Sequence, residues 1–124
     1  MSFKLKKEIK LKSIVREKSF EFALKIIRLY RNLQSKNEFV LSKQLVRSAT
    51  SIGANVEEAL AAQSRKDFLS KMSIASKEAR ETRYWLRLMA ASNIGEEDYS
   101  HLLEKVEELI RMLTSIVKTT GKSR

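Results

Sequence analysis

The stretch "FLSKMSIASKEARETRYWLRLM", residues 68–89, decides the fold. Phe68, Met72, Ala75, Ala79, Thr82, Leu86 and Met89 alternate steps of four and three along it. That is the spacing of a helical bundle seam; a half-buried strand would repeat every second residue. Just upstream, "SRKD" at 64–67 carries a start signal. Ser64 can accept the backbone N–H near Asp67, and the acid suits the positive end of a helix. The pattern predicts a helix over about 65–92, closed by "SNIGEED" at 92–98.

The same periodicity recurs on both sides. Val15, Phe22, Ile26, Leu29 and Leu33 form one face of a helix over roughly 11–34. Phe20, Ala23, Ile27 and Tyr30 form an adjacent face, so the apolar band is wider than one neighbour covers. After the loop "QSKNE", Leu41, Leu45, Ala49, Ile52, Val56 and Ala59 mark a second helix over about 39–62. A fourth, about 96–118, carries Tyr99, Leu102, Val106, Leu109, Leu113 and Ile116, widened by Leu103, Ile110 and Val117. Short connections between long helices predict antiparallel neighbours, hence an all-α, up-down-up-down four-helix bundle. The surplus apolar faces of the first and fourth helices predict a homo-oligomer.

Inside the second helix lies "RSATSIGANVEEAL", residues 47–60. Ser48, Ala49, Ser51, Gly53 and Ala54 have little side chain, so another helix can approach closely. Gly53 costs about 1 kcal/mol relative to alanine in a helix, which close packing or a bend would offset. Asn55 and Glu58 share a face, with Arg47 three turns earlier on the same side. Two readings stay open: solvated side chains, or a buried polar contact that needs partners.

Composition bounds the rest. The 124 residues suit one domain, 1–124, with the basic segment 1–10 and the tail 119–124 expected to be less ordered. Proline is absent and glycine appears three times, as suits a helical chain. Without cysteine there are no disulfides and no thiolate metal site, which fits a reducing cytoplasm. "MSFKLKKEIKLKSIV" mixes charges into its apolar residues and reads as neither signal peptide nor membrane span. The net charge is +10, from 25 Lys and Arg against 15 acids, and favours a polyanionic partner.

"QLVRSATSIGANVEEA" followed by "DFLSKMSIASKEARETRYWL" resembles the small bacterial four-helix bundle proteins of 23S ribosomal RNA intervening sequences, also termed S23-type. Arg47, Ser51, Ile52, Asn55, Val56 and Glu58 match the family run R-A-x-x-S-I-x-x-N-I-A-E-G. Ala59 stands where the family usually has glycine, and Glu57 replaces a small residue. The resemblance implies a ring-shaped homopentamer with a structural rather than catalytic motif. A looser resemblance runs to the accessory variability determinants of diversity-generating retroelements, which implies nucleic acid and a reverse transcriptase as partners.

Other constellations fall short of a site. "GKS" at 121–123 imitates the end of a P-loop, but the position five residues before Gly121 is Ile116 and no helix follows. Asp98 and His101 have the spacing of a bundle metal site, which needs two such histidines where this chain has one. Glu57, Glu58, Glu78 and Glu81 lack an accompanying nucleophile or base. No enzyme activity, cofactor or metal is expected.

The basic residues carry the functional expectation. Lys77, Arg80, Arg83 and Arg87 cluster on the third helix, and Lys25, Arg28 and Arg31 recur every three residues on the first. Arginine forks match phosphate oxygens, and counterion release drives such binding at low salt. The expectation is non-specific binding of structured RNA or an RNA–DNA hybrid, since no stacking-aromatic signature points to base reading. Glu78 and Glu81, interleaved with the arginines, would neutralise them in the alternative case of a merely solvated face. The rival class is an oligomeric protein scaffold, with Tyr84 and Trp85 as contacts.

Overall fold

A computed structural model describes residues 2–122, which form four α-helices and no strand. They are α1 (Phe3–Ser35), α2 (Leu41–Leu60), α3 (Arg65–Ser92) and α4 (Ser100–Lys122), with a short 3₁₀ turn at Ile94–Glu96. Each helix packs on its neighbours in sequence and α4 returns to α1, with α2 and α3 in the most extensive contact.

The apolar stripes meet in one core. Val15, Phe22, Ile26 and Leu33 of α1 are buried with Leu45, Ala49, Ile52, Val56 and Ala59 of α2. Met72, Ala75, Ala79, Leu86 and Met89 of α3 join them, as do Val106, Leu109, Leu113 and Ile116 of α4. Small side chains on α2 and α3 let those two helices lie close. At their seam the buried Thr82 hydroxyl is 2.9 Å from the Ser48 hydroxyl and donates to the Glu78 carbonyl oxygen at 2.8 Å or to Ser48.

Helix ends follow local chemistry. Ser64 Oγ accepts from Asp67 N at 3.0 Å, as the start signal predicts. Glu38 caps α2 from outside it, its carboxylate accepting from Leu41 N at 2.7 Å and Ser42 N at 3.0 Å. Asn93 closes α3 in the left-handed region at φ 54°. Gly95 follows at φ 71°, where a Cβ would lie 2.5 Å from the buried Leu33 Cδ2. Asp98 Oδ1 accepts from Ser100 N at 3.0 Å and Ser100 Oγ at 2.7 Å, and these bonds hold its carboxyl below the usual range.

Several boundaries and faces differ from the sequence expectation. α1 begins at Phe3 rather than near residue 11, so residues 3–10 are helical. Lys, Leu and Glu favour helix intrinsically, so residues 3–10 are helical although none of them packs against the core. α4 begins at Ser100 and runs on to Lys122, which makes 119–122 helical; Ser123 and Arg124 lie outside the described residues. The surplus face of α4 is absorbed within the chain, since Ile110 is buried and Leu103 and Val117 pack against the core. On α1 the surplus persists: Phe20 is 66% exposed and Leu24 41%.

Candidate nucleic-acid interface

Across each neighbouring pair, residue numbers run in opposite senses. Gln34–Ser42 and Arg16–Glu57 link α1 to α2, and Lys25–His101 and Lys18–Glu108 link α1 to α4. Arg83–Glu107 and Arg80–Thr114 link α3 to α4. This register decides which charges meet.

On α2, Arg47 turns toward α3. Its guanidinium bonds the Glu81 carboxylate and lies 3.5 Å from Glu78 Oε2. Glu78 Oε2 is buried and accepts no hydrogen bond, so its compensation is the Arg47 charge. Arg47 therefore does not meet Glu58, which faces Lys71 at 3.4 Å instead. Asn55 is half-buried and donates to the Ser51 carbonyl oxygen at 2.8 Å, a bond within its own helix. Gly53 lies over Ser19 of α1, where an added Cβ would meet Ser19 O and Oγ at 3.6 Å. The approach is close but leaves room for a methyl group.

With Glu78 and Glu81 held by α2, the opposite flank of α3 keeps its charge. Arg80 Nη2 donates to Thr114 Oγ1 of α4 at 3.0 Å. Arg83 is partly neutralised by Glu107 at 3.9 Å. Lys77 and Arg87 are exposed, with no ion pair to an acid among the described residues.

The α1 trio lies elsewhere. Lys25 donates to His101 Nε2 at 2.9 Å beside the first turn of α4, while Arg28 and Arg31 are exposed. His101 and Thr114 are 13 residues apart on one helix, about 20 Å. Arg83, however, lies opposite Glu107, only six residues from His101, so the two predicted stripes overlap in height and flank α4 from the two helices that pack against it.

Sequence reasoning missed the face between them. After Glu108, α4 contains no acid, and Arg111, Lys118 and Lys122 recur at i, i+7 and i+11 with Thr114 and Ser115 between them. Arg111, Ser115, Lys118 and Lys122 are exposed. At the same end Arg65 bonds the Thr120 carbonyl oxygen, and Lys12 Nζ sits 4.5 Å above the Phe68 ring. The opposite end mixes acids with cations: Glu97 bonds Asn32 and pairs with Lys36 at 3.1 Å. Hydroxyls and cations on one helix face, free of carboxylates, can take phosphate oxygens by charge-assisted hydrogen bonds.

Among the described residues no three His, Cys, Asp or Glu side chains gather as metal ligands. None of the helices is long and apolar enough to cross a membrane, within those same residues.

A sequence model of the 23S rRNA-intervening sequence protein family matches residues 11–115. The chain belongs to this family. It is also similar to the 1.70 Å crystal structure of a protein of unknown function, from the S23 ribosomal protein family, of Bacteroides thetaiotaomicron VPI-5482. The two share 47% identity with a TM-score of 0.82, over 87% of this chain and 98% of that one. No curated protein matches the chain. Within the span matched to the family lie Arg47, Arg80 and Arg111, whereas Lys118 and Lys122 lie past its end.

Proposed function

We propose that this protein binds nucleic acid without sequence preference, through the carboxylate-free face of α4 and the α3 cations beside it, and catalyses no reaction. One observation carries the reading: Glu78 and Glu81 turn to Arg47, so they do not neutralise Arg80 and Arg87. The net charge of +10 supplies the long-range attraction. The opposed residue numbering of neighbouring helices supports an up-down-up-down bundle. The exposed Phe20 and Leu24 support self-association, and the family resemblance implies that the assembly is a ring of five. Such a ring would repeat the basic face around its axis and suit an accessory role beside a reverse transcriptase in the cytoplasm.

Fluorescence anisotropy with labelled RNA and DNA over a salt series tests this, alongside light scattering for size. The expected result is binding to both, with log affinity falling linearly against log salt. An intact oligomer that binds neither at low salt overturns the reading and leaves a protein scaffold.

A further inference from the structure

Tyr84 stands on the outer face of α3 and is 53% exposed. Its neighbours at three- and four-residue offsets are Arg80, Glu81, Arg87 and Leu88, and Lys77 lies two turns back on the same face. The ring is braced from one side. Trp85 meets it edge-on, with centroids 5.3 Å apart and planes at 65°. Trp85 is itself anchored, its Nε1 donating to Glu81 Oε2 at 3.0 Å, and Glu81 is held by Arg47. Arg80 continues the surface onto α4 through Thr114. An exposed aromatic ring backed by a fixed neighbour, with Arg80 and Arg87 beside it, Lys77 beyond, and the adjacent Glu81 engaged by Arg47 and Trp85, is well suited to a flat anionic partner.

We propose that Tyr84 is a stacking platform and that the ligand of this face is single-stranded nucleic acid; the inference rests on the binding function proposed above. In a duplex the base faces are buried in the stack, and only phosphates and groove edges reach a convex helix surface. In a single strand an unpaired base lies on Tyr84 while flanking phosphates meet Lys77, Arg80 and Arg87. Stacking on any base tolerates any sequence. The same geometry sets a native reporter beside the site, because Trp85 touches Tyr84.

The test compares a uridine or thymidine oligomer with a duplex of equal length, using wild type, Tyr84→Leu and Tyr84→Phe. Tyr84→Leu is expected to lose roughly tenfold in single-strand affinity, the scale of one base–aromatic stack. Its salt slope should be unchanged because no phosphate contact is removed, and its duplex affinity should be unchanged too. Tyr84→Phe keeps the ring and should retain wild-type affinity, and single-strand binding should change Trp85 emission. Wild-type single-strand affinity in Tyr84→Leu overturns the stacking role while leaving the binding function standing. A change of oligomer size in Tyr84→Leu overturns it also, since Tyr84 would then be a subunit contact. Absence of binding by any form at low salt overturns both readings together.

Discussion

Arg80 on α3 donates to Thr114 on α4 across 3.0 Å, and this bond joins the basic faces of two helices into one surface. It neutralises nothing, because the acceptor is a hydroxyl. Arg80→Gln should therefore reduce the slope of log affinity against log salt by about 0.7–0.9, the share of one phosphate contact. Thr114→Val keeps the charge and should leave the slope as it is. Arg80→Gln combined with Arg111→Gln and Lys118→Gln should lower it by about three times as much, with helicity by circular dichroism intact.

Arg47 offers a test that couples stability to binding. Arg47→Met leaves the buried Glu78 oxygen without its counterion and leaves the Glu81 charge uncompensated, held only by Trp85 Nε1. Hydrogen bonds to charged groups contribute about 1.5–3 kcal/mol when buried, and exposure of Arg47 reduces this to about 1 kcal/mol. Urea unfolding should show that loss. Affinity for nucleic acid should fall as well, and adding Glu78→Gln and Glu81→Gln should restore it.

Gly53 and Gly95 should respond in opposite directions to alanine. At Gly53 the new methyl meets Ser19 at ordinary contact distance, so Gly53→Ala should gain about 1 kcal/mol from helix propensity. Gly53→Leu overfills the same contact and should lose about 1–3 kcal/mol. Thermal melts of the two variants would separate a close approach with room to spare from a fully closed one.

Gly95→Ala should be destabilising by about 1–3 kcal/mol. Its φ of 71° disfavours any L side chain, and its Cβ would press on Leu33 Cδ2 within the packed core. Leu33→Ala in the same background should relieve the clash but not the backbone strain, so the two losses should add to less than their sum in a double-mutant cycle.

Asp98 predicts an acid-limb signature. Its side chain accepts from Ser100 Oγ and Ser100 N at the start of α4, and its folded pKa is lowered. The unfolded chain therefore takes up the proton first on acidification. The contribution to stability is complete above the unfolded value of about 3.9 and is lost as pH falls through the lower folded value. Melting temperatures of Asp98→Ala should converge on wild type at acid pH and lie below it at neutral pH.

The four helices were legible in the sequence because helix formation and burial follow local spacing. The step of four and three from Phe68 to Met89 reports the buried side of α3 without reference to any partner, and Ser64 reports its start from three residues of sequence. The early start of α1 escaped that reading because its apolar residues there, Phe3, Leu5 and Ile9, are exposed among lysines and do not continue the buried stripe. Tertiary structure alone decided the rest. Whether Arg47 meets Glu58 on its own helix or Glu81 on the next, and whether Glu81 cancels Arg80 or leaves it charged, depends on the rotation and register of α2 against α3. Those are set by the packing of Ser48, Ala49, Ala79 and Thr82 between the helices, a property of two surfaces together that neither periodicity contains.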